Sequence, residues 1–400
     1  MQNRAYIFIL TTLMIDAIGI GIVFPIMPDL MARVGASGTG EGAFWGGILM
    51  ASYAGALFLF APIIGSLSDA YGRKPILIAA LAVLAVDYAI MAMADVYWVL
   101  FIGRVLAGIA GATYTTATAY IADISSAEQR SARFGMIGAA FGIGFVLGPA
   151  IGGIAAQWHI SAPFWIAATL SALNMGFGLF VLPESLAVEK RRAFGRRALN
   201  PFKTITDAFK IPGLWIPLVC LFLFEFANMV YPTLWAFFVR ELFDWSTLLI
   251  GLSLAGYGAL LAGVQAGLMP TLINRYGEYQ TLQLGFVSAL IGFVGFGVIS
   301  TVAGLIIVLL FAALSDLYPP MITAIAANQV DEDQQGLVQG VIASLASIAA
   351  FLAPLLATFV FERFVDSDGI YLPGAPFLMA EILVVLSIPL ILRLKNYAQS

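Results

Sequence analysis

Charged side chains are scarce in this 400-residue sequence, in which they make up 10% of the residues, whereas hydrophobic residues make up 61%. Soluble globular proteins carry about 25% charged residues. The mean hydropathy of +0.96 points the same way, and the apolar residues form many separate long runs. An ordinary soluble domain is therefore excluded, and the sequence predicts a membrane protein.

Cysteine and histidine are almost absent, with Cys220 and His159 as the single examples. One thiol can form no intramolecular disulfide, and one histidine cannot build a histidine metal site. An intramembrane enzyme would need a nucleophile with a base, or clustered metal ligands, and these two residues supply neither. We therefore expect neither catalysis nor a cofactor or bound metal. Besides an enzyme, the alternative from a different functional class is a receptor that binds its ligand without transporting it.

A basic face is also missing, because the net charge is −4 and nearly all of the 19 Lys and Arg residues lie in short loops. Binding to a nucleic-acid backbone requires such a face. The sequence therefore excludes a nucleic-acid partner.

Twelve apolar runs are each long enough to cross about 30 Å of hydrocarbon as a helix, at about 1.5 Å per residue. Membrane strands would instead alternate in polarity over about ten residues. We predict an all-α membrane protein with twelve transmembrane helices, numbered here as spans 1 to 12. The runs cover residues 5–31, 44–67, 75–94, 98–121, 134–157, 162–183, 212–238, 247–272, 282–300, 302–327, 337–361 and 376–394.

The Lys and Arg residues are distributed unequally between the two sides that these spans define, with fifteen on one side and three on the other. Cytoplasmic loops carry the excess of positive charge. Both termini are therefore predicted to be cytoplasmic. The longest polar segment, residues 184–211, reads as a cytoplasmic linker between two six-helix bundles at 1–183 and 212–400.

An internal repeat relates the two halves, because several residues recur after a constant shift of 205 positions. Gly72 matches Gly277, and Pro149 matches Pro354. The matches fall in corresponding cytoplasmic loops and in the helices that begin there. Repeated halves with the substrate held between them are typical of alternating-access transporters.

A loop motif lies between spans 2 and 3, where the sequence reads Gly65-Ser-Leu-Ser-Asp69-Ala-Tyr-Gly72-Arg73-Lys74. The glycines permit a tight reversal, Asp69 lies at a helix end, and the basic pair anchors the cytoplasmic surface. The spacing G-x-L-x-D-x-x-G-R-K resembles the loop signature of the major facilitator superfamily. The resemblance implies two pseudo-symmetric bundles, and a conformational role for these residues in latching the halves in the outward-open state.

A second motif lies in span 5, where Gly144, Gly148, Pro149, Gly152 and Gly153 form the pattern G-x-x-x-G-P-x-x-G-G. Small residues let helices approach closely, and proline frees a backbone carbonyl and bends the span. The pattern resembles the signature of the drug:proton antiporter branch of the superfamily. It implies a gating role for these residues, and export rather than uptake.

Span 4 contains Arg104, and an isolated guanidinium group inside a membrane is costly without a partner. An arginine near the interface could instead extend toward the headgroups. The matching arginine of the resembled family also follows a glycine, as Arg104 follows Gly103. The resemblance implies a role in proton transfer.

Five acidic residues lie inside the predicted spans, and each is a candidate functional group. They are Asp16, Asp87, Glu225, Asp316 and Glu381. In the superfamily's fold, spans 1, 4, 7 and 10 line the central cavity, so the resemblance implies proton coupling by Asp16, Arg104, Glu225 and Asp316. A buried ion pair that does not titrate is the structural alternative. We expect Asp87 to hydrogen-bond locally or to control gating, and Glu381 to be structural.

Nearly the whole sequence is similar to the tetracycline efflux proteins, in segments such as RVLAGIAGATYTTATAYIADISSAEQR and GLSLAGYG. This similarity implies that Asp16 and Asp87 are needed for transport. The sequence also differs from that family at several positions. The family's histidine in span 8 would fall near Leu261 of this sequence, and the family's acidic residue in span 9 has no counterpart here. Glu225 stands where the family has glutamine, and Asp316 is an added carboxylate.

Aromatic, amide and carboxylate side chains in the spans are candidates for holding a flat or cationic substrate. The predicted substrate-binding residues are Asp16, Tyr114, Glu225, Asn228, Tyr231, Trp235, Tyr257, Gln265 and Asp316.

The sequence thus predicts a proton-coupled exporter of a small amphipathic compound, either tetracycline-like or one of several drugs. A proton symporter, or a transporter of a lipid-like substrate with the same fold, is the alternative. The expected partners are the substrate, protons and the lipid bilayer, and the expected state is a monomer in a bacterial inner membrane.

Overall fold

Helices account for nearly all of the described chain in a computed structural model. The structure describes residues 2–111, 113–192, 194, 206, 208, 209, 211, 213–330, 334–366 and 369–394, and no strand occurs among them. The α-helices are Gln2–Arg33, Thr39–Tyr71, Arg73–Met93, Tyr97–Ala110, Thr113–Asp123, Ala127–Ala155, Ala162–Val181, Trp215–Asn228, Val230–Phe243, Thr247–Gly263, Met269–Tyr276, Glu278–Val298, Val302–Ser315, Tyr318–Ala327, Gln335–Val365, Ala375–Leu386 and Ile388–Leu394.

These helices confirm the all-α membrane fold. Eleven segments of the described chain are long and apolar enough to cross a membrane. A twelfth is the pair Ala375–Leu386 and Ile388–Leu394, which is bent by 41°. The observed bounds extend several predicted spans by a few residues, because polar residues such as Asp69 continue the helix beyond the apolar run.

Spans 4, 7 and 10 are interrupted near their middles. In span 4 the backbone N–H of Gly111 bonds to the carbonyl of Gly108 instead of continuing the α-helical pattern. In span 10 the break falls at Asp316 and Leu317, and prolines at positions 319 and 320 lack the amides that would bond to residues 315 and 316. Such breaks leave polar backbone groups available at membrane depth.

Two compact units make up the chain, and their sequence ranges interleave. Unit 1 contains Met1–Ala36, Ser52–Pro201 and Ser246–Ala255. Unit 2 contains Ser37–Ala51, Phe202–Trp245 and Gly256–Ser400. Spans 2 and 8, which correspond to each other in the internal repeat, therefore each begin in one unit and end in the other.

Each unit has its own apolar core. In unit 1, Phe8 and Leu13 of span 1 pack with Leu81 of span 3 and Ile121 of span 4. In unit 2, Leu214 and Leu218 at the start of span 7 pack with Val341 and Leu345 of span 11. These buried faces fix the helices that carry the polar residues described below.

The predicted linker at 184–211 is described only in part, because positions 193, 195–205, 207 and 210 lie outside the described residues. Its first residues follow the surface of unit 1, where the Arg192 amide donates to the carbonyl of Asp69 at 3.1 Å. A short 3₁₀ turn covers Val188–Lys190.

Candidate functional site

A buried ion pair joins spans 3 and 4 in unit 1. Arg104 donates through Nη2 to Oδ2 of Asp87, and the two residues are 7% and 1% exposed. Oδ1 of Asp87 and Nε of Arg104 are buried without hydrogen-bond partners among the described residues. The partner that the sequence required for Arg104 is therefore Asp87, the acid expected to act locally.

Two tyrosines lie against this ion pair. The guanidinium carbon of Arg104 is 5.6 Å from the ring centroid of Tyr53 and 5.9 Å from that of Tyr88. Both positions are cation–π contacts, which help to hold a buried guanidinium group in place. The tyrosines also interact electrostatically with Asp16, so they connect the ion pair to the carboxylate of span 1.

Asp16 of span 1 has no basic partner among the described residues. The side chain of Thr113, at the start of the second half of span 4, is its hydrogen-bonding neighbour. Its Oδ1 atom is buried without a hydrogen-bond partner among these residues. A buried carboxylate oxygen in this state is a position for a proton, a water or a cation.

Asp316 is the centre of the polar site in unit 2. It lies at the break of span 10, where Oδ2 accepts a hydrogen bond from the Tyr257 hydroxyl at 2.8 Å. Oδ1 lies 3.5 Å from Nδ2 of Asn228, which donates to it. The structure thus brings together three predicted site residues from spans 7, 8 and 10.

Glu225 lies one turn before Asn228 on span 7 and interacts electrostatically with Asp316. No basic side chain balances these two carboxylates within the described spans of unit 2, since each arginine there lies in the last turn of a helix. These arginines are Arg240, Arg275, Arg363 and Arg393. Unit 1 pairs Asp87 with a cation, whereas Glu225 and Asp316 of unit 2 have no cationic partner in the part of the chain that the structure describes.

The predicted aromatic residues of span 7 pack inside unit 2. The Tyr231 ring stacks on Phe293 with centroids 5.1 Å apart, and its hydroxyl is buried without a partner among the described residues. Trp235 is 4% exposed and packs edge-on against Phe296. Both rings are therefore packed in the second half of span 7, the helix Val230–Phe243.

Three further residues named from the sequence are Tyr114, Gln265 and Glu381. Tyr114 of span 4 is 46% exposed and contacts Phe141 of span 5 edge-on. Gln265 is exposed in the π-helical turn Val264–Leu268 of span 8. Glu381 of span 12 has a buried Oε2 atom without a hydrogen-bond partner in the described chain.

The loop motif after span 2 forms a charged network within unit 1. Arg73 contacts Asp69 at 2.6 Å and Asp123, at the end of span 4, at 3.2 Å. Glu184 accepts hydrogen bonds from the amides of Arg73 and Lys74, at 2.9 and 3.2 Å. A carboxylate at this helix N-terminus satisfies free amides.

The two glycines of the loop motif differ in conformation. Gly72 has a φ of 107°, which favours glycine, and a Cβ atom there would collide with Glu184. The expectation that Gly65 also permits a reversal is wrong, because this residue lies within the helix Thr39–Tyr71. The helix continues through it because a single glycine costs only about 1 kcal/mol in a helix interior.

The small residues of span 5 form close helix contacts within unit 1. A Cβ atom at Gly148 would lie 2.6 Å from the carbonyl oxygen of Ile18, and one at Gly152 would lie 2.8 Å from that of Ile22. Gly144 faces span 1 in the same way, one turn earlier. On another side, a Cβ atom at Gly153 would lie 2.9 Å from the carbonyl oxygen of Thr247.

Pro149 lies inside the continuous helix Ala127–Ala155, and its carbonyl oxygen faces Gly251 of span 8. This part of span 8 belongs to unit 1. The Pro149 ring also faces span 1, where a Cβ atom at Gly21 would lie 2.8 Å from its Cδ atom. The G-x-x-x-G-P-x-x-G-G pattern is therefore a contact surface for spans 1 and 8, and Pro149 faces both of them.

Sequence reasoning did not assign functional roles to Tyr53, Tyr88 or Thr113, although they lie around Arg104 and Asp16. The sequence does contain one feature that is related to the ion pair, namely the glycine that precedes Arg104. A Cβ atom at Gly103 would lie 2.7 Å from Oδ1 of Asp87, so the glycine before Arg104 leaves the space that the Asp87 carboxylate occupies.

Comparison with known proteins finds relatives over nearly the whole chain. Residues 9–354 match the family described as Major Facilitator Superfamily. The chain is 39% identical over 362 residues to the tetracycline resistance protein, class C, of Escherichia coli, with 90% of each chain covered. It is 33% identical over 386 residues to the class H protein of Pasteurella multocida, covering 96% of this chain and 94% of that one.

A multidrug resistance protein of Bacillus subtilis, multidrug resistance protein 2, is also similar, at 28% identity over 366 residues and 90% of each chain. Among solved structures, the human organic anion transporter MFSD10 has a TM-score of 0.72 at 23% identity, covering 98% of this chain and 99% of that one. A bacterial homologue of the human lysosomal transporter Spinster, inward-facing and unoccupied, has a TM-score of 0.78 at 13% identity, with 100% and 98% covered. At these identities the two structures establish likeness of fold.

Proposed function

The chain belongs to the major facilitator superfamily, and on this premise we propose that it exports a tetracycline-like amphipathic compound from a bacterial cytoplasm in exchange for protons. Membership makes it a multi-pass membrane transporter of small molecules and not an enzyme. The direction and the drug class are supported by the relatives, which are named for resistance to tetracycline and to several drugs.

The observation that carries the proposal is the uncompensated acid pair of unit 2. Asp316 lies at the break of span 10 with Tyr257 and Asn228 as donors, and Glu225 adds a second carboxylate nearby. A carboxylate inside a membrane without a cation is stable only when it binds a proton or a cationic group. This is the exchange that a proton-coupled exporter performs.

In the proposed cycle the carboxylates of Asp16, Glu225 and Asp316 bind protons from the outer side. The transporter then changes to its inward-open state, where the substrate enters and the protons leave. The substrate bound at the acids favours the return to the outward-open state. No step requires a cofactor, because the proton gradient supplies the free energy.

The buried pair of Asp87 and Arg104 has a different role in this proposal. Each charge is satisfied mainly by the other, so the pair fixes spans 3 and 4 and the tyrosines beside Asp16. Asp16 then titrates within a surrounding that the ion pair holds in place. Arg104 therefore acts in proton coupling through Tyr53 and Tyr88 rather than as a proton carrier.

The proposal places both termini on the cytoplasmic side of the inner membrane, since the basic loops lie there. The outer side of the membrane then contains the ends of spans 1, 5, 7 and 11 and the starts of spans 2, 8 and 12. We further propose that a single chain in the bilayer is the working unit.

Uptake by inside-out membrane vesicles tests the proposal. Radiolabelled tetracycline should accumulate when an imposed pH gradient makes the vesicle lumen acidic, and a protonophore should abolish the accumulation. Vesicles lacking the protein are the control. Uptake driven only by a gradient of the opposite polarity would contradict antiport and indicate symport. Uptake of other amphipathic compounds but not of tetracycline would contradict a tetracycline-like substrate.

A further inference from the structure

Span 2 divides between the two units. Its first residues, within Ser37–Ala51, belong to unit 2, and the remainder from Ser52 onward belongs to unit 1. The contacts that keep this first part in unit 2 are polar and steric, and they involve the end of span 11. These contacts are independent of the carboxylates assigned above to proton coupling.

Asp366 follows directly after the helix Gln335–Val365 and bonds to the first turn of span 2. Its Oδ1 atom accepts a hydrogen bond from the Gly40 amide at 3.2 Å, and its Oδ2 atom accepts one from the Glu41 amide at 2.7 Å. The first amides of a helix have no partner within that helix, and a negative charge there is favourable. The carboxylate of span 11 therefore caps span 2.

The same interface requires glycine at two positions of span 2. A Cβ atom at Gly40 would lie 2.6 Å from Cγ of Asp366, and one at Gly47, two turns further, would collide with the side chain of Thr358. Thr358 is fully buried. The close approach thus extends from Asp366 along two turns of span 11.

Other charged groups surround the capped helix end. The Glu41 carboxylate accepts a hydrogen bond from the Ser37 amide at 2.8 Å. Glu362, one turn before Asp366, interacts electrostatically with both Asp366 and Glu41. Glu362 repels the Asp366 carboxylate, so the two amide bonds hold Asp366 in place despite a neighbouring negative charge.

The repeat provides a related arrangement in unit 1. The hydroxyl of Thr247, the first residue of the span 8 helix, donates to Oδ2 of Asp29 near the end of span 1. Spans 2 and 8 correspond in the repeat. Span 2 begins in unit 2 and continues in unit 1, whereas span 8 begins in unit 1 and continues in unit 2. A carboxylate therefore holds the starting end of each of these two spans.

We propose that the Asp366 carboxylate is a latch that holds the outer end of span 2 in unit 2, and that breaking its two amide bonds is a step in opening the outer side of the transporter. The outer location of this helix end rests on the orientation given in the proposed function. The latch itself rests only on the contacts of Asp366. Asp366 is thus a positioning residue for the conformational change and does not touch the substrate.

Accessibility of Thr358 measures the state of this latch, because Thr358 is buried beneath the capped end. Thr358→Cys in a Cys220→Ser background provides a single thiol in the full chain. A membrane-impermeant maleimide is applied to right-side-out vesicles. Asp366→Ala should increase the labelling rate about fivefold, the ratio that corresponds to a helix cap of ordinary strength, and Asp366→Asn should give a smaller increase because one oxygen acceptor remains.

Glu362→Gln is the matched control, because it removes a neighbouring charge without removing an acceptor of the span 2 amides. It should leave the labelling rate at or below that of the parent. Gly40→Ala should increase the rate, since its methyl group displaces the Asp366 carboxylate. Unchanged labelling in both Asp366→Ala and Gly40→Ala would overturn the latch.

The labelling requires no substrate, so this result is separate from the transport assay. An increase that is confined to inside-out vesicles would support the latch and contradict the orientation in the proposed function. An equal increase with Glu362→Gln would contradict the latch, because loss of any charge at this end would then have the same effect.

Discussion

The carboxylate of Asp87 forms an ion pair with the guanidinium group of Arg104, and both side chains are buried in unit 1. This pair separates the intramembrane charges into two classes. Asp87 is compensated by a cation of the same unit, whereas Asp316 and Glu225 have hydrogen-bond donors or each other as neighbours and no cationic partner among the described residues. We expect the first class to determine stability and to affect coupling only through the neighbouring tyrosines, and the second class to bind the protons.

Removal of one member of the ion pair should destabilise the protein strongly. Asp87→Asn leaves the Arg104 charge buried without its counterion, and such changes cost about 3–5 kcal/mol. Thermal unfolding of the detergent-solubilised protein should show a clearly lowered melting temperature. The double variant Asp87→Leu with Arg104→Met should recover much of the loss; a double variant less stable than Asp87→Asn would contradict a role dominated by charge pairing.

The hydrogen bond from Tyr257 to Asp316 should contribute to transport. Tyr257→Phe removes the donor at 2.8 Å and keeps the ring, so we expect about a tenfold decrease in substrate uptake, the scale of a bond to a charged group. The measurement is a double-mutant cycle of uptake rates in vesicles. In an Asp316→Asn background Tyr257→Phe should have little further effect, and additive losses would show that the two residues act separately.

Substitutions in span 5 should depend on whether a glycine faces another helix. Gly148→Ala should reduce the amount of folded protein and the transport rate, since a Cβ atom there would lie 2.6 Å from the Ile18 carbonyl oxygen. Gly142 is the matched control, because a Cβ atom there would meet nothing within 4 Å. Size-exclusion chromatography of the two alanine variants provides the comparison, and equal behaviour would contradict the close contact of spans 1 and 5.

The loop motif offers a similar comparison. Gly72→Ala should impair folding or transport, because its φ of 107° is unfavourable for alanine and the methyl group would collide with Glu184. Gly65→Ala should be tolerated, since Gly65 is helical and a Cβ atom there would meet nothing within 4 Å. Expression level and uptake rate are the measurements. A more severe defect for Gly65→Ala would instead point to a contact made by Gly65 in another state of the cycle.

Hydropathy predicted the spans closely because each helix must match the thickness of the membrane, and this requirement appears directly as the length of an apolar run. The predicted span at 75–94 compares with the helix Arg73–Met93, and 302–327 with two helices that together cover Val302–Ala327. The interruptions within spans were not predicted. The helices on both sides of the Asp316 break are apolar, so an average over the run does not detect the break.

Pairings between side chains were predicted less well than the spans. The sequence showed that Arg104 needs a partner, yet several acids were available, and only the packing of span 3 on span 4 selects Asp87. The latch at Asp366 had no sequence signal, because its partners are backbone amides at the start of span 2, which any residue except proline provides. Contacts of this kind depend on which helices are neighbours, and that is a property of the fold.

Proton release from the purified protein on addition of substrate tests the central claim most directly. In weakly buffered detergent solution, tetracycline or another amphipathic compound should displace protons from the wild-type protein. The release should be lost in at least one of the variants Asp16→Asn, Glu225→Gln and Asp316→Asn, and retained in the Gly142→Ala control. If a compound binds to the wild-type protein and no proton is released, the exchange of substrate for protons at these carboxylates is contradicted.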